Sequence, residues 1–209
     1  MDVQTLRAEA FKALHERDGA FVIPNPWDAG SAKLLASLGF EALATTSAGL
    51  AFSLGRPDAE AALSLDETLD NAGLIVDATA LPVAADLENG FGDLPDDCAQ
   101  TILRGAEAGL VGGSIEDASG RSDAPIYDFG LAVERVRAAV QAARSLPFPF
   151  MLCAAQKTCC TGAWTWTTPS CGCRLTPRQA PMCSTPRACA VSTKFAQWCR
   201  PWHRNRSMY

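Results

Sequence analysis

The strongest constraint on what this chain can fold into is a break in its charge pattern. All 23 acidic residues lie before Cys153, and none occurs from Ala154 to Tyr209. The same C-terminal segment carries seven of the nine Cys and four of the five Trp residues, Trp164, Trp166, Trp198 and Trp202. The formal net charge of −5 therefore averages two unlike polypeptides, an acidic head and a basic tail. The head is poorly suited to nucleic acid, whereas the tail has the charge for weak polyanion binding.

With 209 residues and 48% hydrophobic content, the chain is long enough for one domain with a sizeable core. The N-terminal stretch MDVQTLRAEAFKALHERDG is amphipathic and charged rather than a basic region followed by an apolar one. No apolar run approaches the roughly 18 residues a membrane span requires. Neither export nor membrane insertion is expected. The head contains only Cys98 and Cys153, which gives no disulfide framework and points to a reducing cytoplasm.

Apolar, β-rich runs alternate with helical patterns through the head, the signature of a parallel α/β architecture. Phe21 to Ile23 reads as a first strand, followed by a helix over Ala29 to Leu38 stopped by Gly39. Ala42 to Thr45 reads as a second strand, and Ser64 with Glu67 forms a capping box for a helix from Leu65 to Val76. A third strand over Val83 to Asp86 leads to a helix over Asp96 to Ala108, stopped by Gly109. A fourth over Gly112 to Ile115 leads to a helix over Gly130 to Ala143, and Phe148 to Cys153 is the fifth. Without a glycine-rich dinucleotide fingerprint, two architectures remain: an open doubly wound sheet or a (β/α) barrel. His15, in a charged helix, reads as solvated and is given no role.

The carboxylates favour the barrel. Asp86 ends one strand and is followed by Glu88, while Glu116 and Asp117 end the next, so acids converge at the C-terminal strand edge, where barrel enzymes carry their chemistry. If extended geometry persists, Asp86 and Glu88 project to the same side and Glu116 approaches from the neighbouring strand. Three hard oxygen ligands around an open position suit Mg²⁺ or Mn²⁺. The competing reading of Asp86-x-Glu88 alone is a solvated acidic loop. Thr46 and Ser47 read equally as a turn whose hydroxyls satisfy local backbone groups, Asp58 as a surface acid after Pro57, and Trp27 and Phe91 as either pocket wall or packing.

Five stretches, in order, carry a resemblance to a known family: PNPWDAGSA from Pro24, TTSAGLA from Thr45, LGRPD from Leu54, ADLENGFGD from Ala85, and GSIED from Gly113. The head, over about residues 10 to 153, resembles the isocitrate lyase/phosphoenolpyruvate mutase superfamily. The resemblance implies a (β/α)8 TIM-barrel fold, here incomplete at about five βα units. It implies an enzyme that makes or breaks a C–C or P–C bond on a small 2-oxo acid beside an enolate, with Mg²⁺ or Mn²⁺ as cofactor. By the same resemblance Asp86 is the direct metal ligand and Glu88 and Glu116 hold the metal's waters. Thr46, Ser47 and Ala48 align with the loop that binds the substrate carboxylate, and Asp58 is an active-site carboxylate. Intact relatives are expected to be homo-oligomers. The segment from Asp117 to Asp128 aligns with a gating loop; it lacks both the Lys-Lys-Cys-Gly-His segment of the isocitrate-type lyases and the Lys of the phosphonate-forming mutases.

The tail departs from the family altogether. Plausible codons for Gln156 to Ser170, read from the third base, translate as ENLLHGRVDLDDTI, and the same shift applied onward yields an amphipathic helix, a Gly-Ala-Asp turn and an apolar strand. A one-base deletion near the codons for Ala154 and Ala155 explains the acid-free composition. The alternatives fit less well: no Cys-x-x-Cys pair occurs in the tail and its one His is His203, so common zinc spacings are not met. The expected organisation is a partial barrel over 1–153 and a frame-shifted, irregular tail over 154–209, so that activity of this chain is in doubt and an inactive, subunit-binding fragment is the alternative.

Overall fold

Ser64 and Glu67 show how local chemistry sets the element boundaries. The Ser64 side chain accepts from the Glu67 backbone N–H while Glu67 reaches back to Ser64, which starts a helix at Leu65. The computed structural model describes residues 2–58 and 62–155, all within a unit spanning Met1–Trp164. Helix α1 (Val3–Glu16) precedes α2 (Ala29–Ser37), strand β1 (Leu43–Ala44), α3 (Ser47–Ser53) and α4 (Leu65–Ala78). Strand β2 (Val83–Asp86), α5 (Pro95–Glu107), β3 (Gly112–Glu116), α6 (Phe129–Ser145) and β4 (Met151–Ala155) follow.

The four strands form one parallel sheet in the order β1-β2-β3-β4, each joined to the next through helices. This unbroken order decides between the two candidate architectures. A doubly wound sheet reverses its strand order at a switch point, whereas a barrel adds each strand beside the last. The chain is thus an α/β fold of the TIM-barrel type, incomplete over the described residues.

Between sheet and helices lies a core of Leu43, Ala72, Ile75, Val83, Ile102, Ile115 and Ala139, all at most 2% exposed. Small residues let the layers approach. A Cβ at Gly112 would stand 2.7 Å from the Met151 carbonyl oxygen on β4 and 2.9 Å from Phe11, so only glycine fits there. Helix α1 plugs one end through Ala8 and Phe11, which pack with Ala42 and Val111.

Two expectations are corrected. Phe21 to Ile23 is not a strand: the backbone bond to β1 falls just after it, where the Ala44 N–H donates to the Pro24 carbonyl at 3.1 Å. Pro24 and Pro26 have no N–H with which to continue a ladder, and Phe21 is spent on Phe11 and His15. His15 is half-buried rather than solvated, its ring edge-on to both phenylalanines and its Nδ1 2.8 Å from the Phe11 carbonyl oxygen. The tail expectations concern residues 156–209, which lie outside the described residues; β4 itself runs on to Ala155. Among the described residues no helix is long and apolar enough to cross a membrane.

Candidate active site

The C-terminal edge of the sheet gathers the acids anticipated from sequence. Asp86 closes β2, its N–H donating to Thr45 Oγ1 at 3.1 Å. Its Oδ2 accepts from the Ser47 N–H at 3.2 Å and from Ser47 Oγ at 2.7 Å, and its Oδ1 accepts from the Glu88 N–H at 3.1 Å. Alternation does not persist beyond Asp86, because Glu88 adopts φ 45° and the chain turns left-handed. Glu88 is instead brought beside Glu116 by the backbone, the Glu116 N–H donating to the Glu88 carbonyl at 2.8 Å.

Ser47, Asp58, Glu88, Phe91, Asp93 and Glu116 share the wall of one cleft of about 540 Å³, with Ser119 and Gly120 at its side. Asp86 is not itself on that wall and meets the cleft through Ser47. Thr46 is spent on capping α3, its Oγ1 accepting from the Gly49 N–H at 3.3 Å, and Ala48 is half-buried in the first turn of that helix. Of the three residues expected at the substrate carboxylate, Ser47 alone lines the cleft. Phe91 both lines the cleft and packs on the core, whereas Trp27 is 47% exposed and off the wall.

Arg56, two residues before Asp58, is firmly anchored. The Arg56 guanidinium donates to the Ala62 carbonyl at 2.9 Å and makes a two-pronged ion pair with Glu67, at 2.7 and 3.0 Å. This ties the segment bearing Asp58 to the start of α4. The same guanidinium, then the Ser64 contacts, hold the Glu67 carboxyl down at about 2.

The segment aligned with a gating loop is folded back on itself. Ala118 and Ile126 form an antiparallel bridge, the Ser119 N–H donates to the Pro125 carbonyl at 2.9 Å, and the Tyr127 N–H donates to the Asp117 carbonyl at 3.0 Å. Its end carries a network that the motifs did not reveal. Tyr127 Oη donates to Asp93 at 2.6 Å and accepts from the Asn89 amide at 3.1 Å; burial, then the Asp93 contact, push the phenol up to about 12. Beneath the ring, at 4.1 Å from its centroid, lies the guanidinium of Arg135, a residue only 1% exposed. The available signal was periodicity. Arg135, Ala139, Ala142 and Ala143 are the buried residues of α6, at the spacing of one helical face.

The cleft wall holds four carboxylates, Asp58, Glu88, Asp93 and Glu116, and no Lys or Arg among its described residues. Among the described residues no three His, Cys, Asp or Glu side chains converge closely enough to chelate an ion together. The acids present are nonetheless all hard-oxygen donors, the donor type that suits an ion such as Mg²⁺, which keeps most of its waters.

Parallel strands with acids at their C-terminal ends around an open cleft define a barrel-type enzyme domain. Residues 11–165 match the phosphoenolpyruvate phosphomutase family, and the chain belongs to that family, within the superfamily that also contains the isocitrate-type lyases. A protein of Burkholderia cenocepacia J2315, provisionally assigned as a lyase/mutase, is 59% identical; its crystal structure superposes with a TM-score of 0.76 over 79% of this chain and 58% of that one. The 2-methylisocitrate lyase of Escherichia coli K12 is 31% identical over 150 residues, 68% of this chain and 50% of the enzyme. A phosphonopyruvate hydrolase crystallised with oxalate and Mg²⁺ shares the fold, at TM-score 0.70 and 21% identity over 76% of this chain and 55% of that one. The chain spans about half the length of the curated relatives it matches.

Proposed function

We propose that the site is the catalytic half-site of a Mg²⁺-dependent lyase, mutase or hydrolase that makes or breaks a C–C or P–C bond on a small 2-oxo acid. The observation that carries the reading is the cleft at the strand ends, whose described wall bears four carboxylates and no Lys or Arg. Arg121 pairs with Asp93 at 3.0 Å, and a bound cation would further lower the repulsion that an acidic wall exerts on an anionic oxo acid. A bound divalent ion supplies that charge and stabilises the oxyanion that develops as the bond breaks. Asp86 would contact the ion directly, while Glu88 and Glu116 would orient its waters. Ser47, which fixes Asp86 through two hydrogen bonds, would meet the substrate carboxylate at the cleft wall, with Thr46 and Ala48 shaping the turn that presents it. Asp58 would hold or move a proton beside the reacting centre, and the segment from Asp117 to Asp128 would exclude water.

The assay is release of pyruvate or glyoxylate from a panel of oxo and hydroxy acids, with and without Mg²⁺. Turnover that needs Mg²⁺ and disappears in Asp86→Ala is expected. Turnover unaffected by Asp86→Ala would reject the assignment of that residue. A second reading is favoured by the acid-free segment from Ala154, which departs from the family pattern: an inactive fragment whose remaining role is to bind intact subunits. Folded soluble protein without turnover on the whole panel would favour it.

For residues 154–209 we infer a frame-shifted continuation of the barrel, on the acid-free composition and the family-like sequence recovered in the shifted frame. The nucleotide sequence around the codons for Cys153 to Gln156 tests this, and a locus with no recoverable second frame would reject it. A cytoplasmic location and homo-oligomeric intact relatives complete the proposal.

A further inference from the structure

The loop that carries Glu88 into the cleft holds an unfavourable backbone. Glu88, Gly90 and Phe91 have φ of 45°, 84° and 57°, two of them residues with side chains that resist this region. Such residues are strained and persist only where surrounding contacts over-determine them. Thr101 Oγ1 donates to the Gly90 carbonyl at 2.8 Å and the Phe91 N–H to Asn89 Oδ1 at 2.9 Å, and one buried guanidinium spans the rest of the loop. Arg135 donates through Nη1 to the Gly92 carbonyl at 2.7 Å and to the Leu94 carbonyl at 3.5 Å, and through Nη2 to the Asn89 carbonyl. Tyr127 lies across the same guanidinium and bridges Asn89 to Asp93 with its hydroxyl. Arg135 Nε is buried without a partner, so this cation is retained although its donors are incompletely satisfied.

We propose that Arg135 and Tyr127 are the positioning pair of the site: together they hold the Glu88–Leu94 loop in its left-handed turn and join it to the segment ending at Tyr127. Neither residue lines the cleft. They act through the loop's carbonyls, through Asn89 and Asp93, and so through the placement of Glu88. The inference rests on the proposed divalent-ion reading for its effect on metal affinity, but not for its effect on the loop.

The test titrates Mn²⁺ alone into the full 209-residue chain, following free Mn²⁺ by electron paramagnetic resonance, and measures amide hydrogen exchange on the same samples. Arg135→Met is expected to weaken Mn²⁺ binding roughly 10- to 100-fold, the range for groups that orient metal ligands. Tyr127→Phe keeps the stack and loses the bridge, so a smaller loss is expected. Both should speed exchange at residues 88–94 while amides of α4 keep the wild-type rate. Unchanged exchange at 88–94 in the variants, or acceleration spread equally over α4, β2 and β3, would overturn the proposal. If Arg135→Met does not fold, Tyr127→Phe decides by the same criterion. Wild type and Asp86→Asn binding Mn²⁺ equally poorly would strike the metal reading instead, leaving the exchange pattern to decide the positioning role.

Discussion

Arg56, two residues before Asp58, pairs with Glu67, and the chemistry of the pair makes a pH prediction. The Glu67 carboxyl is held at about 2, below its ordinary 4.5, first by Arg56 and then by Ser64. A carboxylate depressed in the folded state stabilises it fully above the unfolded value, and that contribution is lost as pH falls from about 4.5 towards 2. Carbon-detected NMR should find Glu67 titrating near 2 in the wild type and moving up towards 4.5 in Arg56→Gln. A wild-type midpoint already near 4.5 would mean that the ion pair does not form in solution. Both groups are exposed, so the pair is a device for local placement rather than a major source of stability.

At the scale of elements, β3 depends on Gly112, since a Cβ there would meet a backbone oxygen of β4 that cannot rotate away. Gly112→Ala is expected to destabilise the fold by about 1–3 kcal/mol, as overpacking does, seen as a lower urea midpoint with unchanged slope. An unchanged midpoint would show that β3 and β4 separate more readily than their register implies. The helices were legible because their punctuation is chemical: the Ser64–Glu67 box starts α4, and Gly109 with φ 92° follows α5. The Phe21 to Ile23 strand was misread because β-forming side chains were counted without their backbone donors, which two nearby prolines remove. Glu88 was misplaced for a related reason. The Asn89-Gly90 pair marks a turn, and turning began one residue before it. Arg135 stood in plain periodic register with three alanines, yet a charged residue at a core position looks like surface until its carbonyl partners, 41 to 46 residues distant, are known.

For the whole molecule, the winding order and the carboxylates belong to a barrel, while the length belongs to part of one. The described strands add side by side from β1 to β4 without reversal. A parallel strand is stable when covered on both faces and paired on both edges, and a closed barrel achieves this with eight. The acid-free segment from Ala154 falls where the relatives' chains continue, which is where the proposed frame shift places the missing part of the barrel. The family was legible from five short motifs, three of which, from Thr45, Ala85 and Gly113, lie at the C-terminal ends of β1, β2 and β3. The substrate was not, since the lid segment matches neither the lyase nor the mutase pattern. The most direct measurement restores the reading frame by one base near the codons for Ala154 and Ala155 and assays the purified product against the oxo-acid panel. Mg²⁺-dependent turnover that is abolished by Asp86→Ala is the predicted result. A folded, frame-restored protein that turns over none of these acids, or whose turnover survives Asp86→Ala, would contradict the assignment of the site.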